Sequence, residues 1–326
     1  MMDFRQGRQP VKSHYIGIDV GGTKIAYGLF DKNKKLISRH KTKTIRMITQ
    51  EAFVDQLYND IGDLTCKNGL RPDNIIGIGI GMPSNVDFNK GYIVITSNMD
   101  NIRDFNARSS LGQRFPGVQI VVDNDTNLAA IAEHAHGIAK GEENVVYTAL
   151  STGIGSAFII NNKIFRGTHG GAGESGHMII TPNEGVLCGC DNHGCFMSYA
   201  SGSMICRHIT REIEAGKRTC MVEMAKGGAI DCVILHEAYL AKDSMAVQML
   251  DQMGKYIGVY LYNLYVTLNI TCNVFGGGLL KFGAPLLDRI EDTFSYYNKD
   301  NLHKVEFRIA ELTDDSGIIG AAELLD

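Results

Sequence analysis

Residues 15–30, YIGIDVGGTKIAYGLF, decide how this chain folds. Residues 15–20 alternate and favour β structure, Gly21 and Gly22 interrupt them, and residues 25–30 resume the pattern, which predicts a hairpin with a glycine tip. The tip carries Asp19, Thr23 and Lys24. Glycines there let backbone N–H groups point at a phosphate while a hydroxyl and an ammonium add donors. D-x-G-G hairpins are also common without any ligand, so a plain turn is the competing reading. No helix follows directly, which excludes a P-loop. The same grammar returns at residues 145–160, VVYTALSTGIGSAFII, where Ser151, Thr152 and Gly153 form the second tip. Two such tips in one chain suit two halves that clamp one polyphosphate between them, and this repeat is the strongest topological signal in the sequence.

With 326 residues the chain exceeds a comfortable single core, so two domains are expected. A hydrophobic content of 44% is ordinary for a soluble globular protein, and a formal charge of -4 gives no reason to expect nucleic acid as a partner. The apolar runs are of strand length, far short of a bilayer span. Residues 1–13 are polar and basic without an apolar core and read as a frayed tail, which places the protein in the cytoplasm.

Between the tips, residues 35–43 read as a strand. A helix opens at Thr49, with Phe53, Leu57, Ile61 and Leu64 on one face, and closes at Asn68-Gly69. Residues 75–81, IIGIGIG, form a buried strand whose alternating glycines leave room for another backbone or a ligand. Met82-Pro83-Ser84-Asn85 is expected to turn out of it, and Asn98 follows a short strand over 92–96. The hydroxyl of Ser84 and the amides of Asn85 and Asn98 then sit near the C-terminal ends of strands, where ligands of open α/β sheets usually bind; as single residues they also suit turns. The strand over 118–122 empties into Asp123-Asn124-Asp125-Thr126-Asn127 ahead of a helix. Asp125 or Thr126 can cap that helix, or the carboxylate of Asp125 can accept a proton from a substrate hydroxyl. Later, residues 245–268 read as a core helix, 270–275 as a strand ending in Gly276-Gly277-Gly278, 305–310 as a last strand and 316–325 as a short helix of small residues. The three glycines allow either a tight turn or close approach of the backbone to a flat ring.

The segment 167–195, GTHGGAGESGHMIITPNEGVLCGCDNHGC, gathers three of the eight cysteines. Cys188, Cys190 and Cys195 with His177 make a tetrahedral zinc set of three soft thiolates and an imidazole. The competing reading is a reduced, glycine-rich surface loop. Glu174 and His177, three apart, can meet at one small polar molecule. Cys66, Cys206, Cys220, Cys232 and Cys272 are scattered and read as small buried hydrophobes.

From residue 15 onward these pieces resemble the ROK family of sugar kinases, within the actin, Hsp70 and hexokinase superfamily. The most specific part is G-x-x-G-G-A-G-E-x-G-H followed by C-x-C-x-x-x-G-C. The resemblance implies a two-domain actin-like ATPase (ribonuclease H-like) α/β fold with its active site in the interdomain cleft. Residues 1–122 would form a small domain onto which a helix over 311–326 packs back, and residues 123–310 a large domain with the zinc loop. It implies ATP and Mg²⁺, with Asp19, Gly21, Gly22, Thr23, Lys24, Thr152 and Gly153 at the phosphates and Gly276, Gly277 and Gly278 on the adenosine side. Asp125 would be the catalytic base toward a hexose hydroxyl, with O6 as the expected position. Asn124, Glu174 and His177 would bind the sugar, supported by Ser84, Asn85 and Asn98. Zn²⁺ would be structural, held by His177, Cys188, Cys190 and Cys195. Relatives are commonly homodimers or higher homo-oligomers.

Three departures accompany the resemblance. Met197 stands where these kinases commonly have a sugar-binding Glu, Ser84 where glucokinase-like members often have Gly, and Asp191 replaces the usual Gly after the second cysteine. The first puts the sugar itself in question, so N-acetylhexosamine (for example N-acetylmannosamine), allose and fructose kinases are alternatives to a glucokinase. A non-catalytic, sugar-binding transcription regulator is the alternative of another class; the short stretch before Tyr15 argues against it, because a DNA-reading domain needs about 50 residues.

Overall fold

The computed structural model describes residues 12–96, 98–183, 185–299 and 303–326. The tail expected over 1–13 lies outside the described residues as far as position 11. The chain divides into two compact units: Met1–His136 with Arg166–Gly171 and Asp314–Asp326, and Gly137–Phe165 with Ala172–Thr313.

In the first unit, β1 (His14–Val20), β2 (Lys24–Asp31) and β3 (Leu36–Lys43) are followed by α1 (Gln50–Lys67) and β4 (Ile75–Met82). A small antiparallel sheet, β5 (Ser84–Asp87), β6 (Tyr92–Thr96) and β7 (Arg103–Asn106), precedes α2 (Ala107–Arg114), β8 (Gln119–Asn124) and α3 (Asp125–His136). The main sheet has the order β3-β2-β1-β4-β8, with two antiparallel pairings followed by two parallel ones.

The second unit contains β9 (Val145–Leu150), β10 (Ile154–Ile160), β11 (Lys163–Phe165), α4 (Met197–Ala200), α5 (Gly202–Glu214), α6 (Met221–Met224), α7 (Cys232–Leu240), α8 (Ser244–Leu268), β12 (Cys272–Gly276), α9 (Ala284–Tyr297) and β13 (Glu306–Ile309). Its sheet runs β11-β10-β9-β12-β13, again two antiparallel pairings and then two parallel. The repeat visible as two hairpins therefore extends through five strands in each unit. The chain ends in α10 (Ser316–Glu323), which belongs to the first unit.

Local chemistry explains the main helices. Thr49 caps α1 by accepting from the N–H of Ala52 at 3.3 Å, and Phe53, Leu57, Ile61 and Leu64 face inward. Asp243 caps α8 by accepting from the N–H groups of Met245 and Ala246, each at 3.0 Å. Asn269 ends that helix in the left-handed conformation at φ 53°.

The glycines of β1 and β4 make room for another backbone, that of α10. A Cβ on Gly79 would lie 1.8 Å from the carbonyl oxygen of Ala321, and one on Gly17 would lie 2.0 Å from that of Ile318. Helix α10 thus rests directly on the sheet, with Ile318, Ala322 and Leu325 buried against Tyr15, Phe30 and Val121.

Three expectations are corrected. Ser84 and Asn85 do not lie in a turn: they open β5 and pair with Thr96 and Ile95, the bend falling at Pro83. The boundary expected after residue 122 falls after 136, because α3 belongs to the first unit, where Leu128 packs beneath Gly81 and its carbonyl beneath Gly320. Among the scattered cysteines only Cys272 is buried; Cys66 is exposed, and Cys206, Cys220 and Cys232 are half-buried.

Gly79→Ala forces a methyl group into a carbonyl and should cost about 1–3 kcal/mol, lowering the urea midpoint. Gly62→Ala on α1, where an added Cβ meets nothing within 4 Å, should instead gain about 1 kcal/mol from helix propensity. Equal midpoints for the two variants would contradict the direct contact of α10 with the sheet.

Candidate active site and metal centre

In the first unit the site is built around the end of β8. Asp123 is 2% exposed. Its Oδ1 accepts from the Asn124 N–H at 2.8 Å and the Asn127 side-chain amide at 2.9 Å. Its Oδ2 receives Arg166 through Nε at 2.9 Å and Nη2 at 2.7 Å. The guanidinium of Arg166 lies 3.6 Å from the ring centroid of Phe88, so a cation–π contact holds the plane that pairs with the carboxylate.

The cap of α3 falls on neither Asp125 nor Thr126. Asn124 supplies it, its Oδ1 accepting from the N–H groups of Thr126 at 2.8 Å and Asn127 at 3.3 Å, while its Nδ2 donates to the Ser84 carbonyl at 3.0 Å. Asp125 is half-buried in the first turn of α3, and its Oδ1 accepts from the Thr126 N–H at 2.8 Å. Asn124 therefore links Ser84 to Asp125, and the next residue of β5, Asn85, has a buried Oδ1 without a hydrogen-bond partner. A buried amide oxygen left in that state costs desolvation energy, which a ligand hydroxyl would recover.

The first tip is held at its base. The Gly21 N–H donates to the Lys24 carbonyl at 2.9 Å, and the Thr44 hydroxyl donates to the Gly21 carbonyl at 2.7 Å. Gly22, Thr23 and Lys24 are exposed, and a Cβ on Gly22 would meet the Asn98 amide at 3.0 Å. Lys24 faces Asp314 at 3.8 Å. Asp19 is crowded by Gly317, where an added Cβ would lie 2.4 Å from its Cγ. Burial raises its pKa above the ordinary carboxylate value, with Lys24 acting in the opposite sense.

The second unit anchors its tip with a helix. The first N–H groups of α5, on Gly202 and Ser203, donate to the carbonyls of Ser151 at 2.9 Å and Thr152 at 3.1 Å, and the Ser203 hydroxyl adds 2.7 Å to the latter. Thr152 is exposed at the apex, and Met197 brings its methyl carbon to 3.8 Å from where a Cβ on Gly153 would stand. Of the three late glycines, Gly276 is required by the Tyr147 hydroxyl (1.9 Å from an added Cβ) and Gly277, at φ 100°, by the Leu150 carbonyl (2.3 Å); Gly278 alone faces open space.

Glu174 and His177 bracket a 3₁₀ turn, Ser175–His177, in which the His177 N–H donates to the Glu174 carbonyl at 3.0 Å. Glu174 precedes the turn and His177 closes it, and both side chains are exposed. The turn lies flat on β10: added Cβ atoms would come within 1.9 Å of the Ser156 carbonyl at Gly173 and 2.3 Å of the Ile154 carbonyl at Gly176. Beneath it is a buried hydroxyl cluster absent from the sequence reading. Ser156 Oγ lies 2.7 Å from Ser175 Oγ, 2.5 Å from the Tyr260 hydroxyl and 3.4 Å from Thr148 Oγ1.

His177, Cys188, Cys190 and Cys195 bring one donor atom each within 4.8 Å of one another. Cys190 and Cys195 sulfurs are 3.7 Å apart and Cys188 Sγ is 3.8 Å from His177 Nδ1. Zn–S bonds of about 2.3 Å arranged tetrahedrally give edges of about 3.8 Å, so the set fits zinc. The loop is shaped for this by the pairings of Ile179 with Cys195 and Leu187 with His193, and by Asp191 at φ 66°, the conformation that explains a glycine elsewhere. Hydrogen bonding from Asn192 brings Cys190 down to about 7, whereas burial and the neighbouring thiols push Cys195 up to about 12. Three thiolates so close need a cation before all can ionise.

The residues expected in each unit are thus found in two polar groups, Ser84, Asn85, Asn124 and Asp125 in the first and Glu174, His177 and the cysteines in the second. Arg166, Phe88, Ser156, Ser175 and Tyr260 were missed. Only Arg166 carried a signal, as a cation beside a glycine-rich loop.

The chain matches the family described as the ROK family over residues 15–326. It is 33% identical over 316 residues to a glucokinase of Streptomyces coelicolor, covering 95% of this chain and 96% of that protein. It is also 32% identical over 300 residues to the xylose repressor of Bacillus subtilis, covering 89% of this chain and 72% of the repressor. Among solved structures, a ROK family glucokinase from Streptomyces griseus in complex with glucose and AMPPNP superposes with a TM-score of 0.78 at 30% identity, over 96% of this chain and 99% of that one. The twin five-stranded sheets are those of the two-domain actin-like ATPase fold, and by motif, topology and similarity the chain belongs to the ROK family.

Proposed function

We propose that this chain is an ATP-dependent hexose kinase in which Asp125 is the general base. The observation that carries the reading is the division of labour after β8: Asn124 caps α3, so capping does not account for a second carboxylate at the strand's end. Asp125 accepts the proton of a sugar hydroxyl, with O6 the expected one, as that oxygen attacks the γ-phosphorus. The transition state of phosphoryl transfer is loose, so the protein's task is alignment and charge stabilisation.

In the first unit Asn85, whose buried oxygen lacks a donor, and Asn124 take sugar hydroxyls, with Ser84 bonded to Asn124 through its carbonyl and Asn98 standing beside Gly22 of the first tip. In the second, the exposed Glu174 and His177, at the two ends of their turn, do so. The exposed tips, Gly21 to Lys24 and Thr152-Gly153, take phosphates, and Gly278 offers the open backbone toward adenosine. Asp19, whose crowded carboxyl is raised in pKa, would hold the Mg²⁺ that neutralises phosphate charge. Zinc at His177, Cys188, Cys190 and Cys195 would be structural. With Nδ1 of His177 turned to the thiols, Nε2 is left for the sugar, and a metal held there would fix the ring's tautomer. Similarity to a glucokinase and to a glucose complex supports a hexose. Met197, apolar beside Gly153 and Gly176, gives no carboxylate at its position and favours testing N-acetylmannosamine, allose and fructose beside glucose.

The xylose repressor relative favours one second reading, a sugar-binding regulator without turnover. Sugar-dependent ADP release across a hexose panel separates the two, since a regulator binds sugar and releases none.

Asp125→Asn should abolish ADP release while leaving the thermal midpoint in place; near-wild-type turnover would remove Asp125 as base. Arg166→Met leaves the Asp123 carboxylate buried and unpaired, which should cost about 3 kcal/mol in denaturant melts and lower kcat more than it raises the sugar KM. For the metal, Cys190→Ser should lower the zinc content measured by elemental analysis and weaken sugar binding in calorimetry in parallel. Full sugar affinity in zinc-free protein would refute the structural role.

A further inference from the structure

The second unit joins two thiols that stand far apart in sequence and outside the metal set. Cys206, in the second turn of α5, and Cys232, the first residue of α7, have sulfurs 3.7 Å apart, and both residues are half-buried. They lie directly behind the 151–153 tip. A Cβ on Gly202 would stand 2.8 Å from Cys232 Sγ, and the same Gly202 donates its N–H to the Ser151 carbonyl at 2.9 Å. Ser203 holds the Thr152 carbonyl with two further hydrogen bonds. The first turn of α5 thus has the tip on one side and the dithiol on the other.

We propose that Cys206 and Cys232 are a redox-modification site: a low-molecular-weight disulfide closes them into an intramolecular disulfide that pins α5 to α7 and weakens nucleotide binding at the 151–153 tip. Bond formation draws the sulfurs from 3.7 Å to about 2.05 Å, a shift the first turn of α5 must share with the carbonyls it holds.

Cys232 is the attacking group. It sits at the N-terminus of α7, and its contact with the Cys206 sulfur lowers the Cys232 pKa and raises that of Cys206, with burial and Asp231 opposing the shift at Cys232. The Cys232 thiolate attacks one sulfur of the oxidant RSSR, forming Cys232–S–SR and releasing RS⁻. Cys206 then loses its proton and displaces the second RS⁻, forming the Cys206–Cys232 bond. Two protein thiols are oxidised, RSSR is reduced to two RSH, and reducing agent reverses the sequence.

The nucleotide effect rests on the kinase reading; the disulfide does not. The full chain, reduced and metal-loaded, is incubated with oxidised glutathione, its remaining thiols are alkylated, and it is digested for mass spectrometry. The expected product is a peptide pair linked through Cys206 and Cys232, lost on dithiothreitol treatment and absent from Cys206→Ser and Cys232→Ala. ADP affinity by calorimetry should fall severalfold on oxidation and stay constant in both variants. No link, or links confined to Cys188, Cys190 and Cys195, overturns the site. A link with unchanged ADP affinity overturns its coupling to the tip. Absence of ADP binding to the reduced protein counts against the kinase reading and the coupling together, and the peptide map still decides the dithiol.

Discussion

A carboxylate almost without solvent, Asp123, is the constraint on which the first unit's site depends. A charge at that depth is tolerated only with good partners, and each of its partners belongs to a different working part. The Asn124 N–H fixes the residue that caps α3, Asn127 fixes the helix itself, and Arg166 ties in the segment entering the glycine-rich loop. Because Oδ1 and Oδ2 are used by different elements, the carboxylate cannot rotate without losing at least one of them. Asp125, next along the backbone, starts from this anchored residue, and its Oδ1 accepts from the Thr126 N–H at 2.8 Å. The end of a parallel strand is the usual place for ligands in such sheets, and here it is also the most strongly tied point of the turn.

The second unit reaches comparable order with neutral groups and soft donors. Its 3₁₀ turn has little apolar side chain to bury, so it is held by backbone lying on β10 and by a hydroxyl beneath. Ser156 has one proton and two lone pairs; donating to Thr148 leaves it able to accept from both Ser175 and Tyr260. Burial raises the Tyr260 pKa, so its hydroxyl remains a neutral donor throughout the physiological range. On the other side of the turn, His177 is drawn to the thiols through Nδ1. The pair Glu174 and His177 is therefore fixed from below by hydroxyls and from the side by the cysteine loop.

Features with a short sequence reach were legible. The two glycine tips, the helix opened at Thr49 and the spacing of the cysteine loop each express themselves within about a dozen neighbouring residues, and IIGIGIG signalled room for another backbone or a ligand, of which the backbone of α10 is the one found. What escaped depends on distant partners. Nothing near position 123 announces Arg166, 43 positions away, and nothing near Ser156 announces Tyr260, 104 positions away. The cap went to Asn124 rather than Asp125 because the helix begins one residue earlier than the polar run suggests. Cys206 and Cys232 looked unrelated for the same reason: helices α5 and α7 meet only once folded.

Met197 shows how the two halves of the second unit's site constrain each other. Its methyl carbon lies beside Gly153 and its Cβ beside Gly176, so one apolar side chain spans the phosphate-type tip and the turn carrying Glu174 and His177. Methionine supplies flexible packing that adapts to both neighbours. The polar side chains on that turn are Glu174 and His177, and their placement depends on the hydroxyl cluster beneath and the cysteine loop beside them.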